Sequence, residues 1–279
     1  MAASGTTESA AVTAYMAAAE RQIRLERGRN LGLVAVLLVI VVFTYQKTEF
    51  DPGILVRNAG QLQRVLGAFA HPNTADLRDI LPLTLETLYI AVLGTVIGTL
   101  LAIPLSFLAA RNLMRRNRLG TAVYFVVRLL MSVIRSTPTL FWGIFWVIVV
   151  GIGPFPGVLA VSTFTVGLIS KLFSEAIETV DWGQVDALTA TGANPIQVVI
   201  HAVVPQVTPY MIANVLYSFE VNVHSSTVLG IVGAGGIGLL LNQYIGLLLY
   251  PDLAMLLIVV ILMTTIIDYS SAAIRRRII

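Results

Sequence analysis

Cysteine is absent from the chain. That excludes disulfides, thiol catalysis and thiolate metal sites. Charge is scarce: 12% of residues are Asp, Glu, Lys or Arg, against about a quarter in soluble domains. Lysine is nearly missing, with Lys47 and Lys171 the whole complement. Neither closes a Gly-x-x-x-x-Gly-Lys-Ser/Thr pattern, so there is no Walker A route to ATP hydrolysis. His71, His201 and His224 lie far apart with no metal-ligand spacing. No serine sits in a Gly-x-Ser-x-Gly elbow. Nothing in this set points to an enzyme.

What the chain has is apolar surface. Of 279 residues, 57% are hydrophobic, where soluble domains run at roughly 45–50%. Several apolar runs are long enough to cross a bilayer, which makes this an integral membrane protein. An ordinary cytoplasmic enzyme, a disordered chain and a secreted disulfide scaffold are excluded. Of 18 basic residues, four fall in 21–29, four in 111–118 and three in 275–277. Patches beside apolar runs mark cytoplasmic loops, not a nucleic-acid face.

Residues 1–30 are Ala-rich, then basic (Arg21, Arg24, Arg27, Arg29). They read as a helix on the cytoplasmic membrane surface or as a disordered segment. Leu31 to Tyr45 reads as a short span starting inside, because Thr44, Tyr45 and Gln46 offer no small-residue cleavage site for a signal peptidase. In 47–80, Leu55, Leu62, Leu66 and Phe69 recur at helical spacing, predicting an amphipathic helix on the outer surface. Leu81 to Ala110 runs inward to Arg111, Arg115, Arg116 and Arg118. It carries Gly94 and Gly98, a pair that lets helix backbones approach closely.

Leu119 to Val150 is too long for one span, and Pro138 should break it. Gly151 to Gly157 is an external turn. Val158 to Phe173 returns inward, 174–205 forms a helical cytoplasmic excursion, and Tyr210 to Leu229 goes out again. The last span runs from Leu253 to about Ser271, ahead of Arg275, Arg276 and Arg277. A crossing at 239–250 would strand that triplet outside, so 230–250 reads as a re-entrant or surface segment. The expectation is an all-α integral membrane protein with six transmembrane helices and both termini cytoplasmic. Its parts are 1–46 (cytoplasmic segment and first span), 47–80 (external segment) and 81–279 (core, with the loop 174–205).

Gly233-Ala-Gly235-Gly236-Ile-Gly238 fits the dinucleotide fingerprint. The fingerprint also needs a βαβ unit and an acid about 20 residues on; Asp252 and Asp268 are misplaced for that. Glycines at membrane depth permit irregular backbone lining a cavity.

Asp186-Ala-Leu-Thr-Ala-Thr-Gly192, then nine residues, then Ala202-Val-Val-Pro205, resembles the cytoplasmic loop of ABC-importer permeases, Glu-Ala-Ala, three residues, Gly, nine residues, Ile-x-Leu-Pro. A helix, a turn at Gly192 and a second helix from about Pro195 would make a compact knob able to dock in a groove of a separate ATPase. The stretch from Glu220 to Gly238, with Ala109-Ala-Arg-Asn112 and Arg135-Ser-Thr-Pro138, resembles the phosphonate-type ABC transporter permeases. The likeness covers about 80–279. The family pattern has Arg where this chain has His224, which bears on the charge of the path.

The resemblance implies a type I ABC-importer permease core working as a homodimer in the cell membrane. Two ATPase subunits would bind the cytoplasmic loops, through Asp186, Ala187, Gly192, Ala193 and Pro205. A substrate-binding protein would dock outside. No cofactor would be bound by this chain, ATP being used by the partner ATPase. No nucleic acid is implied, and lipid surrounds the spans. The substrate class is a phosphorus oxyanion: phosphonate, phosphate or phosphite.

Two polar stripes cross the apolar spans. Arg128, Ser132, Arg135 and Thr139 share one helix face. Tyr217, Glu220, His224 and Thr227 share another. An intramembrane arginine is a functional-site candidate by default. In one reading Arg135, Ser136 and Thr137 supply donors to an oxyanion path at the Pro138 break, where freed N–H groups favour anions. In the other, Arg135 and Glu220 neutralise each other and lock two helices. Pro138, Gly233, Gly235, Gly236 and Gly238 are candidates for a gate of irregular backbone. The alternative functions are an ion-coupled secondary transporter, which predicts inverted repeats that are not evident, and a non-transporting scaffold, which the polar stripes disfavour.

Overall fold

The computed structural model describes residues 4–278 apart from residue 116, with side chains described for 25–277. The side chains of Arg21, Arg24 and Arg116, assigned above to cytoplasmic patches, lie outside that set. The chain divides between Gln63 and Arg64 into two compact units.

The first unit is dominated by α1, Ser4–Lys47. It is one unbroken helix of 44 residues, about 66 Å long at 1.5 Å per residue. Composition divides this stretch into a surface segment and a span, but the helix runs through both. No proline precedes Pro52, so nothing forces a break. Its segment Leu25–Lys47 is long and apolar enough to cross a bilayer. The helix stops as Thr48 Oγ1 donates to the Thr44 carbonyl at 2.8 Å. Asp51 then accepts from Gly53 N at 2.8 Å and pairs with Arg57, opening α2, Gly53–Arg57. Asn58 leaves the helical region, so the expected amphipathic pattern is split, and α3, Ala59–Phe69, straddles the division.

In the second unit, α4 (Leu77–Leu108), the short α5 (Arg111–Met114) and α6 (Arg118–Ser136) come first. The long apolar run does break where Pro138 stands: Thr137 is extended, and α7 is a separate helix, Thr139–Val150. Gly151 and Gly153, at φ +92° and +145°, turn the chain into α8, Pro154–Glu178. After it come α9 (Trp182–Ala190), α10 (Pro195–Val198), a π-type turn at Val199–Val203 and α11 (Val204–Leu229). A glycine-rich loop leads to α12 (Gly238–Gly246) and α13 (Tyr250–Ile278). No strand occurs among the described residues.

Helix α8 is the centre, packed by α4, α6, α7 and α11. Its contact with α4 is set by the two glycines. A Cβ on Gly98 would lie 2.5 Å from Thr165 Cβ and 2.8 Å from the Ser162 carbonyl. Only a residue without Cβ lets the backbones come this close. Four clusters of buried side chains make the core among the described residues; one, Ile80, Ile237, Tyr244, Leu256 and Val259, joins α4, α12 and α13, and three more lie along the bundle. Ile90, Val161, Leu229 and Ala234 form one, Ala102, Ile169 and Phe173 the next, and Ile177, Val185, Val198 and Val207 the third. Among the described residues, six helical segments are long and apolar enough to span, and the chain is a multi-pass membrane protein.

Candidate functional site

The segment between α8 and α11 folds into a small knob. Asp181 caps α9 by accepting from Gly183 N at 2.9 Å. Gly192, at φ +84°, makes the turn. Asn194 and Gln197 form a reciprocal capping box, at 2.9 and 3.0 Å, that starts α10 at Pro195. The short helices are too small to be stable alone. They are held by Val185, Val198, Ala202 and Val203, buried against Ala110 and Ile177. Gln206 accepts from Asp181 N at 3.0 Å and donates to the Ala202 carbonyl at 2.7 Å, fastening the knob to α11. Asp186, Ala187, Gly192 and Pro205 are exposed, and Ala193 is half-buried. So are two large apolar side chains that a solvated loop has no reason to show: Ile196 is 70% exposed and Ile200 52%.

Beside the knob, Glu178 ties three elements. It accepts from Arg111 N at 2.8 Å and from Arg128 Nη1 at 3.1 Å. Arg128 also stacks on the Tyr124 ring, 5.2 Å from its centroid. This arginine, on the first polar stripe, is committed to holding α6 against α8.

Arg135 is different. It ends α6 exposed, with no hydrogen bond or ion pair among the described residues. The Ser136 and Thr137 hydroxyls donate back to the Val133 carbonyl, at 3.0 and 3.1 Å. Glu220 does not pair with Arg135. Its Oε1 accepts from Arg275 Nη2 at 2.8 Å. Spacing alone could not choose between arginines on different helices, and α13 is the one that packs along α11. One turn on, His224 Nε2 lies 3.8 Å from Asp268 Oδ1, also on α13. Tyr217 is half-exposed, and Thr227 donates to the His224 carbonyl at 2.6 Å.

The glycine loop is packed, not open. Residues 234–238 are buried. Gly233, Gly235 and Gly236 take φ +83°, +78° and +79°, where other residues are strained. Glu86 Oε1 accepts from Gly236 N at 2.9 Å and Thr87 Oγ1 from Ile237 N at 2.8 Å. A Cβ on Gly238 would lie 2.7 Å from the Thr227 carbonyl. Glu86 is nine residues into α4, so by rise the loop is roughly 13 Å along that helix. The loop therefore re-enters the bundle, and its glycines meet protein where a cavity was expected. Helix α12, outside the six spans, is anchored by Tyr244, which donates to Asp76. Burial first, then that bond, hold the phenol above its ordinary range, so it remains a donor.

Glu86 and the role of Arg275 are not visible from sequence spacing. Glu86 carried a signal, being a lone acid in an apolar span. Arg275 was hidden in a triplet that reads as a topology marker.

The structure is a helical membrane core bearing a compact knob between α8 and α11. Residues 102–279 match the family of binding-protein-dependent transport system inner membrane components, and the chain belongs to it. It is 36% identical to the phosphite transport system permease protein PtxC of Stutzerimonas stutzeri over 249 residues, 89% of each chain. It is 43% identical to the putative phosphite transport system permease protein HtxC of the same organism, over 89% of this chain and 87% of that one. The phosphate-import permease protein PhnE of Mycolicibacterium smegmatis is 36% identical over 82% of this chain and 42% of that longer protein. Among solved structures, the MetNI methionine ABC transporter superposes with TM-score 0.65 at 23% identity, covering 74% of this chain and 99% of that one. At that identity the likeness speaks for the fold alone.

Proposed function

We propose that this chain is the membrane permease of an ATP-driven importer for a phosphorus oxyanion. The relatives named for phosphite and phosphate support the substrate class, and phosphonate stays within it. The observation that carries the transport reading is the knob. Its short helices are braced from below, while Ile196 and Ile200 are presented outward. An exposed apolar surface on a polar loop is a protein-docking feature. The partner is an ATPase subunit, which supplies the ATP chemistry that this chain's lysines cannot. Two permease copies with two ATPase subunits, and a binding protein outside, complete the assembly in this reading.

ATP binding closes the ATPase pair and moves the knobs, so the helices of α4, α8 and α11 swing between inward- and outward-facing states. Substrate then crosses along the stripes. The pairing of Glu220 with Arg275 matters here. It cancels a charge that would repel an oxyanion, while Arg135 stays uncommitted. Arg135 is the anion contact of the path.

The test is co-purification of the ATPase with this chain, followed by ATP hydrolysis with and without the loaded binding protein. Arg135→Gln should keep the ATPase bound and abolish uptake. Loss of assembly in that variant would make Arg135 structural. A chain that purifies alone, with uptake stopped by collapse of the proton gradient while ATP stays high, would return the ion-coupled alternative.

A further inference from the structure

Helices α4 and α11 run antiparallel, with Ile90 beside Leu229 at one level and Ala102 near Val215 at another. Between those levels Asn222, fully buried, donates from Nδ2 to Thr95 Oγ1 on α4 and to Thr165 Oγ1 on α8, both at 2.8 Å. One turn to either side on α11 stand Ser218 and Ser226, also at 0% exposure. Thr99, one turn beyond Thr95, is level with Ser218 by the same register.

The oxygens here have an unusual property. Thr99 Oγ1, Ser218 Oγ, Asn222 Oδ1 and Ser226 Oγ are all buried and have no hydrogen-bond partner among the described residues. One other described side-chain atom is in that condition, Asn112 Oδ1 beside the knob. Buried polar groups in a bundle of this kind normally find partners, because leaving them without one is costly. Three of them share one face of α11, and the fourth stands on α4 at the level of Ser218, which is not scatter. Steps of four residues raise each by about 6 Å, so Ser218 to Ser226 covers roughly 12 Å. That is too long for one ion and suited to a file of waters, each of which takes about three hydrogen bonds from otherwise unpaired groups.

The seam also has an orientation. At 3.6 residues per turn, Glu220 and His224 lie roughly 160° round the helix from Asn222. The face that is bonded to α4 and α8 is the back of the face that carries the polar stripe.

We propose that the α4–α11 contact is a hydrated seam, with waters bridging Thr99, Ser218, Asn222 and Ser226, and that Asn222 is the positioning residue that sets which face of α11 meets the permeation path. An apolar seam would lock by shape. A wet one exchanges partners at small cost, so α11 can turn or slide against α4 when the ATPase closes. This rests on the importer reading. The wild-type complex tests that reading separately, since it must itself hydrolyse ATP in response to the binding protein and take up substrate.

The experiment uses the full complex of permease, ATPase and binding protein in proteoliposomes, with two variants. Asn222→Leu replaces the amide by an apolar group of similar size. Thr99→Val with Ser218→Ala removes only unpartnered hydroxyls. Interhelical hydrogen bonds in membranes are weak, so both should assemble and melt within about 3 °C of wild type. Basal ATP hydrolysis should be unchanged. Stimulation by the loaded binding protein and uptake per complex should each fall ~10-fold, the scale of a lost coupling. Wild-type stimulation and uptake in the variants would overturn the proposal. So would a fall in basal hydrolysis, melting temperature and uptake together, which marks a packing role alone. If Asn222→Leu fails to assemble, the double variant decides by the same readouts.

Discussion

Arg275 Nη2 lies 2.8 Å from Glu220 Oε1, joining α11 to the last turn of α13. The side chains are 29% and 14% exposed. The pair neutralises Glu220 on its stripe; in the proposed oxyanion path, Arg135 on the other stripe is the exposed cation with no ion pair among the described residues.

Arg275→Gln should therefore leave Glu220 without its partner. Breaking a buried pair costs several kcal/mol, and partial exposure reduces that to ~1–3 kcal/mol here. The double variant Glu220→Gln with Arg275→Gln should recover most of it. Melting of the purified protein in detergent, run as a double-mutant cycle, measures this. A single variant as stable as wild type would show that the pair does not hold the helices.

Gly98→Ala should destabilise the bundle by ~1–3 kcal/mol through overpacking, because its Cβ would lie 2.5 Å from Thr165 Cβ. Gly67→Ala, with nothing within 4 Å, is the control and should be silent in the same melting assay. Equal melting of the two variants would contradict the close α4–α8 approach.

Much of this was readable in advance. Span lengths, the Pro138 break, the Gly151 turn and the knob rest on local rules of hydrophobic length, proline geometry and capping, and local rules survive folding. Which arginine meets Glu220 does not follow from them. Arg135 and Arg275 are 85 and 55 residues away in sequence, and only the packing of α13 along α11 selects one. The glycine loop misled for a related reason. Sequence shows that backbone freedom is needed, but whether a cavity or a neighbouring helix needs it depends on where Glu86 and Thr87 arrive. Joining α1 into a single helix was also hidden, since a change from polar to apolar composition looks like a boundary although nothing in the backbone requires one.

Glu86→Ala removes the acceptor of the Gly236 N–H. An orphaned buried donor costs about 1–3 kcal/mol, felt locally as looser backbone. Hydrogen exchange across 233–238 should accelerate, while the knob at 181–206 exchanges as before. Unchanged exchange over the loop would mean that Glu86 does not hold it.

Gly192→Val should weaken ATPase docking without disturbing the membrane bundle. The φ of +84° costs a β-branched residue about 1–2 kcal/mol, and no atom lies within 4 Å for the side chain to displace. Asn194→Ala should add ~1 kcal/mol by removing a cap. Both are read as the amount of ATPase retained on the purified permease. Full retention in both would move the docking site away from this turn.

The most direct measurement is uptake by proteoliposomes holding this chain, its ATPase and its binding protein, supplied in turn with labelled phosphate, phosphite and a phosphonate. The account predicts uptake of at least one of them that requires ATP and the binding protein, persists when ion gradients are collapsed and is lost in Arg135→Gln. Uptake driven by an ion gradient without ATP, or transport of none of the three by an intact, ATP-hydrolysing complex, would contradict it.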